Sequence, residues 1–173
     1  TRLQSWLKTA GTGYYQALAL GVTDVGGCDW LTMGPCESDA VNGYSTAAYH
    51  ADMVSFVASW LADFPGTRII WRTLQHIDTA LALQADQDKI NAAILAGAGS
   101  THGQATGDVS GVYLSEVRSV PAFPGNQLHW VTDQQAGDVG GIMATADYMA
   151  LNPAVATGGA PIIGSAIVRG RVA

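Results

Sequence analysis

Three short apolar runs, "DWLTM" (29–33), "TRIIWRTL" (67–74) and "SGVYLSEV" (110–117), are separated by longer stretches in which apolar residues return every three or four positions. Short runs rich in β-branched and aromatic residues predict buried strands of the parallel-sheet type. In the first spacer, "STAAYHADMVSFVASWLADF", Tyr49, Met53, Phe56 or Val57, and Trp60 line one side of a helix behind a Ser45/Thr46 cap. In the second, "TALALQADQDKINAAILAGAG", the helical spacing runs out at Gly97 or Gly99, where a terminating glycine is expected. Strands alternating with helices of this length predict an α/β fold with right-handed crossovers.

The flanks are less regular. Residues 2–20 place Leu3, Trp6, Leu7, Tyr14, Ala17 and Leu18 at helical spacing, broken by Gly11 and Gly13, which predicts one interrupted helix or two short ones. After Pro121 and Pro124, "DQQAGDVGGIMATADYMAL" reads as a last, glycine-weakened helix. Beyond Pro153 the chain turns small, apolar and strand-like. Residues 1–152 are therefore expected to form one α/β domain, and 153–173 an edge strand, tail or linker.

Composition narrows the partners. Charged residues are 13% of the chain, against about 25% in an average domain, and 21 of the 173 residues are Gly. The net charge is −6, and the eight Lys and Arg are scattered. That distribution argues against nucleic acid and anionic membrane as partners. No run of about 18 apolar residues suggests membrane insertion, and the first residues do not read as a signal peptide. Acidic charge and small residues point to an extracellular, periplasmic or virion-associated setting. Cys28 and Cys36 flank "DWLTMGP"; a curled segment would let them bridge, and an extended strand would hold them apart as free thiols.

Ligands of parallel sheets bind beyond the carboxyl ends of the strands. Two polar stretches follow such ends: "GPCESDA", with Glu37, Ser38 and Asp39, and "GNQLHWVTD", with Asn126 and His129. A carboxylate-oriented histidine is the usual base for a serine hydroxyl. Each residue also has a structural reading. Ser38 and Asp39 fit a cap at the start of a helix, Glu37 fits the positive end of that helix, and His129 beside Trp130 fits a half-buried structural histidine. His50, His76 and His102 show no metal-ligand spacing, so no metal is expected. The glycine-rich stretches lack a Lys-Ser/Thr ending and a preceding strand, and no nucleotide cofactor is expected either.

"ESDA" followed by "YHADMVSFVASWLADFPGTRIIW" resembles the central block of the SGNH (GDSL-like) hydrolase superfamily, especially its carbohydrate-esterase, sialate O-acetylesterase-like branch. "GNQLHWVTDQQAGDVGGIMATA" is similar to that superfamily's last block, an Asp-x-x-His loop before a glycine-bearing helix. The likeness spans roughly residues 25 to 150. It implies a three-layer α/β/α, flavodoxin-like parallel sheet and hydrolysis of acyl, chiefly O-acetyl, esters on carbohydrate by a serine nucleophile without a metal. His129 would be the general base and Glu37 would help orient it.

The departures bear on mechanism. Asn126 stands where the last block has an aspartate, and Pro35-Cys36 replaces the Gln-Gly pair that contributes to an oxyanion hole. No Gly-Asp-Ser or Gly-Gln-Ser block occurs in the 173 residues. The resemblance therefore implies an incomplete N-terminus, with the nucleophile expected on a preceding βαβ portion. The competing expectation is an inactive SGNH-like structural or glycan-binding module, for example in a phage virion or tail.

Overall fold

The computed structural model describes residues 2–34, 37–74, 84–118 and 147, and of residue 37 the backbone alone. The chain opens with a 3-10 turn, Leu3–Trp6, followed by helix α1, Tyr14–Asp24. Then come strand β1 (Trp30–Met33), the short helix α2 (Glu37–Val41), α3 (Thr46–Asp63), β2 (Arg68–Arg72), α4 (Gln84–Ala98) and β3 (Val112–Ser115). The interrupted first helix is thus a 3-10 turn and one α-helix, separated at the expected glycines.

The strands form one parallel sheet in the order β1-β2-β3. Register pairs Met33 with Trp71 and Trp71 with Leu114, so these residues share a face with Leu31, Ile69 and Val112. That face carries the core. Tyr49, Met53, Phe56, Val57 and Trp60 of α3 and Ile90, Ala93, Ile94 and Ala98 of α4 are buried in one cluster with it. Two crossovers running in the same direction put both helices on the same side of the sheet, and they pack against each other there. Aromatic side chains fix α3: Phe56 meets Trp71 edge-on with ring centroids 6.0 Å apart, and Trp71 Nε1 donates to Tyr49 Oη at 3.3 Å.

Local signals act where the sequence places them. Ser45 Oγ accepts from Ala48 N–H at 3.1 Å and starts α3. Gly99, at φ +101°, ends α4. Gly97 lets α4 approach Met53 of α3, where an added Cβ would lie 2.7 Å from the Met53 sulfur. Asp39 does not cap α2 or α3; it lies inside α2, and its carboxylate serves the amide of Leu3 instead.

The outer edge of β3 is closed by the loop that follows α4. Gly103 N–H donates to Leu114 O at 2.8 Å, Leu114 N–H to Gln104 O at 3.1 Å, and Glu116 N–H to His102 Nδ1 at 2.9 Å. A side chain here takes the place of the next backbone carbonyl. Cys28, at the amino end of β1, is a free thiol, and the extended strand leads away from it. Cys36, His76, the last helix apart from Asp147, and the tail 153–173 lie outside the described residues. No helix among the described residues is long and apolar enough to cross a membrane.

Candidate functional site at the carboxyl end of the sheet

The second face of the sheet carries Thr32, Ile70, Arg72, Tyr113 and Ser115, the residues that alternate with the core set. Its last row, at the carboxyl end, is polar. Arg72 and Ser115 are cross-strand partners, and both donate to Asp147: Arg72 Nε at 2.9 Å, with Arg72 Nη2 on the other oxygen, and Ser115 Oγ at 2.7 Å. Asp147 is helical and nearly buried. A carboxylate there balances the charge of an arginine that the sheet has taken partly out of water.

A second group lies just beyond. Thr73 Oγ1 donates to Glu116 Oε1 at 3.0 Å and accepts from Val117 N–H at 2.9 Å. Arg118 closes on Glu116 through its own N–H and its guanidinium, with Nε 2.9 Å from both carboxylate oxygens. Burial would raise the Glu116 pKa, but the Arg118 and Thr73 hydrogen bonds outweigh it and hold the carboxyl below its ordinary range. The same ion pair lifts Arg118 above its usual value. Where β2 ends, the Asn91 amide of α4 grips Leu74, accepting from its N–H at 2.6 Å and donating to its carbonyl at 3.2 Å.

Glu37 is the first residue of α2, which follows β1 across the same end of the sheet. Its side chain, His129 and Asn126 lie outside the described residues, so their mutual geometry is not part of this structure. What is described is where the chain leaves and returns. Arg118 and Asp147, which bracket the segment holding Asn126 and His129, both sit at the carboxyl ends of β2 and β3.

Sequence reasoning missed Arg72, Thr73, Ser115, Glu116, Arg118 and Asp147. The signals were an arginine inside the apolar run "TRIIWRTL" and the Glu-x-Arg that closes "SGVYLSEVR". Arg72 and Glu116 fall inside runs that read as strands, and Arg118 stands one position beyond the third run. Ser115 is fully buried and bonded to Asp147, which gives it the character of a structural hydroxyl. Among the described residues no group of His, Cys, Asp or Glu is arranged to hold a metal ion. At the opposite end of the sheet lies an open cleft of about 420 Å³, lined by residues that include Cys28, Asp29, Asp63 and Thr67. That is the amino end of β1 and β2, away from the strand ends that ligands of parallel sheets use.

Comparison with known protein families, curated proteins and solved structures found no match to this chain.

Proposed function

We propose that the carboxyl end of this sheet is the working face of an SGNH-type esterase acting on acylated, chiefly O-acetylated, carbohydrate. The fold reading that goes with it is a three-layer, flavodoxin-like α/β/α domain. In its support, Asp147 engages the face of the sheet opposite α3 and α4. The observation that carries the functional reading is the shared location of three chain points. Glu37 opens the helix after β1, and Arg118 and Asp147 bracket the His129 segment at the same end of the sheet.

In this mechanism His129 takes the proton of a serine hydroxyl as the serine attacks the ester carbonyl, then returns it to the departing sugar oxygen. Glu37 orients the imidazole and stabilises its charged form. Asn126 can hold a ring by hydrogen bonding but supplies no charge. The nucleophile belongs to residues outside these 173. Turnover of acetylated sugars or p-nitrophenyl acetate by a polypeptide that supplies the serine tests the proposal. His129→Ala should abolish it, Glu37→Gln should lower kcat, and Asn126→Asp should raise it. The 173 residues alone should stay at the level of their His129→Ala variant. Serine-dependent hydrolysis by residues 1–173 alone would overturn the assignment of the nucleophile.

A second reading, a non-catalytic structural or glycan-binding module, is favoured by one specific feature. The polar side chains at the strand ends are bonded to one another, Arg72 and Ser115 to Asp147, and Thr73 and Arg118 to Glu116. Glycan binding without turnover in every longer form would select it.

A further inference from the structure

Asp39 is fully buried, yet its carboxyl group has one hydrogen bond among the described residues. Oδ2 accepts from Leu3 N–H at 2.9 Å, and Oδ1 is buried with no partner among the described residues. An ionised carboxylate has room for about four hydrogen bonds and is costly to bury with one. A neutral carboxyl fits better. Its carbonyl oxygen can serve Leu3, and an unbonded hydroxyl on Oδ1 costs less than an unbonded charge.

The surrounding charges do not change this balance. At the start of the 3-10 turn two positive charges act on Asp39, the chain's amino terminus and Arg2, an exposed side chain whose Nη2 is already bonded to Asn42 Oδ1 at 2.6 Å. From α3 comes Asp52, of like charge, joined to Tyr44 Oη at 2.5 Å, and burial together with Asp52 pushes Tyr44 up to about 12. Helix α4, which also packs on α2, brings no charge to bear on Asp39.

We propose that Asp39 is a pH-sensitive latch between the N-terminal 3-10 turn and α2, closed while its carboxyl is neutral and loosened when it ionises. Burial, as the largest influence, raises the Asp39 pKa with a smaller push from Asp52, and the Leu3 hydrogen bond, Arg2 and the amino-terminal charge offset it only in part. Ionisation becomes favourable when the turn lifts and water reaches the group. By linkage, the closed form binds the proton more tightly than the open one, so it is favoured at low pH and loses ground as pH rises through the raised value. Each unit by which the two forms differ in pKa changes the opening equilibrium about tenfold. The latch is independent of any esterase activity, although α2 also begins with Glu37.

The test is an NMR titration of the intact chain that follows the Asp39 carboxyl carbon and the exchange protection of the Leu3 amide, corrected for intrinsic rate. Asp39 should titrate above the ordinary carboxylate range, and Leu3 protection should fall severalfold with the same midpoint. In Asp39→Asn, which keeps an acceptor for Leu3 without a titrating proton, the protection should not vary with pH. The latch is overturned if Asp39 titrates at or below the ordinary range, or if Leu3 protection is flat in the unaltered protein. The unaltered protein alone decides the matter if Asp39→Asn does not fold.

Discussion

Arg72 and Ser115 sit opposite each other at the ends of β2 and β3 and share one acceptor, the carboxylate of Asp147. They stand 43 positions apart in the sequence but are joined by register. A residue far along the chain is thereby tied to the carboxyl end of the sheet.

Removing one partner of this pair should cost more than replacing the charged pair by apolar groups. Asp147→Ala leaves the Arg72 guanidinium and the Ser115 hydroxyl facing an empty acceptor. Loss of one partner of a buried ion pair costs about 3–5 kcal/mol, and the partial exposure of Arg72 places this case at or below the lower end. The Arg72→Met, Asp147→Leu double variant should recover most of that loss in urea unfolding. A double variant as unstable as Asp147→Ala would show that packing, not the stranded charge, sets the cost.

A glycine inside α4 and another in the loop beyond it predict unequal penalties. An added Cβ at Gly107 would run into the backbone carbonyl of Gly97, which cannot move without unwinding the end of α4. At Gly97 the obstacle is the flexible Met53 side chain, with Sδ at 2.7 Å and Cε at 2.8 Å. Overpacking against a movable side chain costs about 1–3 kcal/mol. Gly107→Ala should therefore lower the thermal midpoint more than Gly97→Ala. Met53→Ala should relieve part of the Gly97→Ala penalty and none of that at Gly107.

His102 has an acceptor's task on the edge of β3. Because Nδ1 accepts from Glu116 N–H, the ring proton belongs on Nε2, which is buried without a partner among the described residues. His102→Ala should strip protection from the Glu116 amide in hydrogen exchange and cost about 1–2 kcal/mol. His102→Asn, with an oxygen at a similar reach, should restore part of the protection. Unchanged exchange at Glu116 in the alanine variant would remove His102 from this role.

The strands and the two crossover helices were legible because the apolar runs, buried on both faces at Ile69, Ile70 and Trp71 of β2, and the 3.6-residue repeat act locally; β1 departs from the expected burial, with Trp30 half exposed. The polar row at the sheet end was not legible. Arg72 looks like an interruption of an apolar run, and its partner Asp147 lies on another element 75 positions away. No local pattern encodes that meeting. Asp39 was misread for a related reason. An aspartate before a helix usually caps it, but here the free amide in reach belongs to Leu3, on a different element. The backbone of Glu37 follows the carboxyl end of β1 because strand direction and chain order alone decide that.

Glu116 should make the fold lose stability in acid. Its native carboxyl lies below the ordinary value of 4.5, since Arg118 and Thr73 bond the charged form more strongly than burial opposes it. The unfolded chain therefore binds the proton more readily. The stabilisation is fully present above the unfolded pKa and is lost as pH falls through the lower native one. Urea midpoints measured from neutral pH down through the carboxylate range should fall in the unaltered protein, and fall less steeply in Glu116→Gln. The glutamine keeps one acceptor for Thr73 but cannot match the Arg118 charge, so the variant should be less stable at neutral pH and converge with the unaltered protein in acid. Asp39 acts in the opposite sense, because its raised pKa favours the fold at low pH. Asp39→Asn should therefore steepen the acid loss that Glu116→Gln reduces. If both substitutions moved the slope in the same direction, at least one of the two assigned shifts would have the wrong sign.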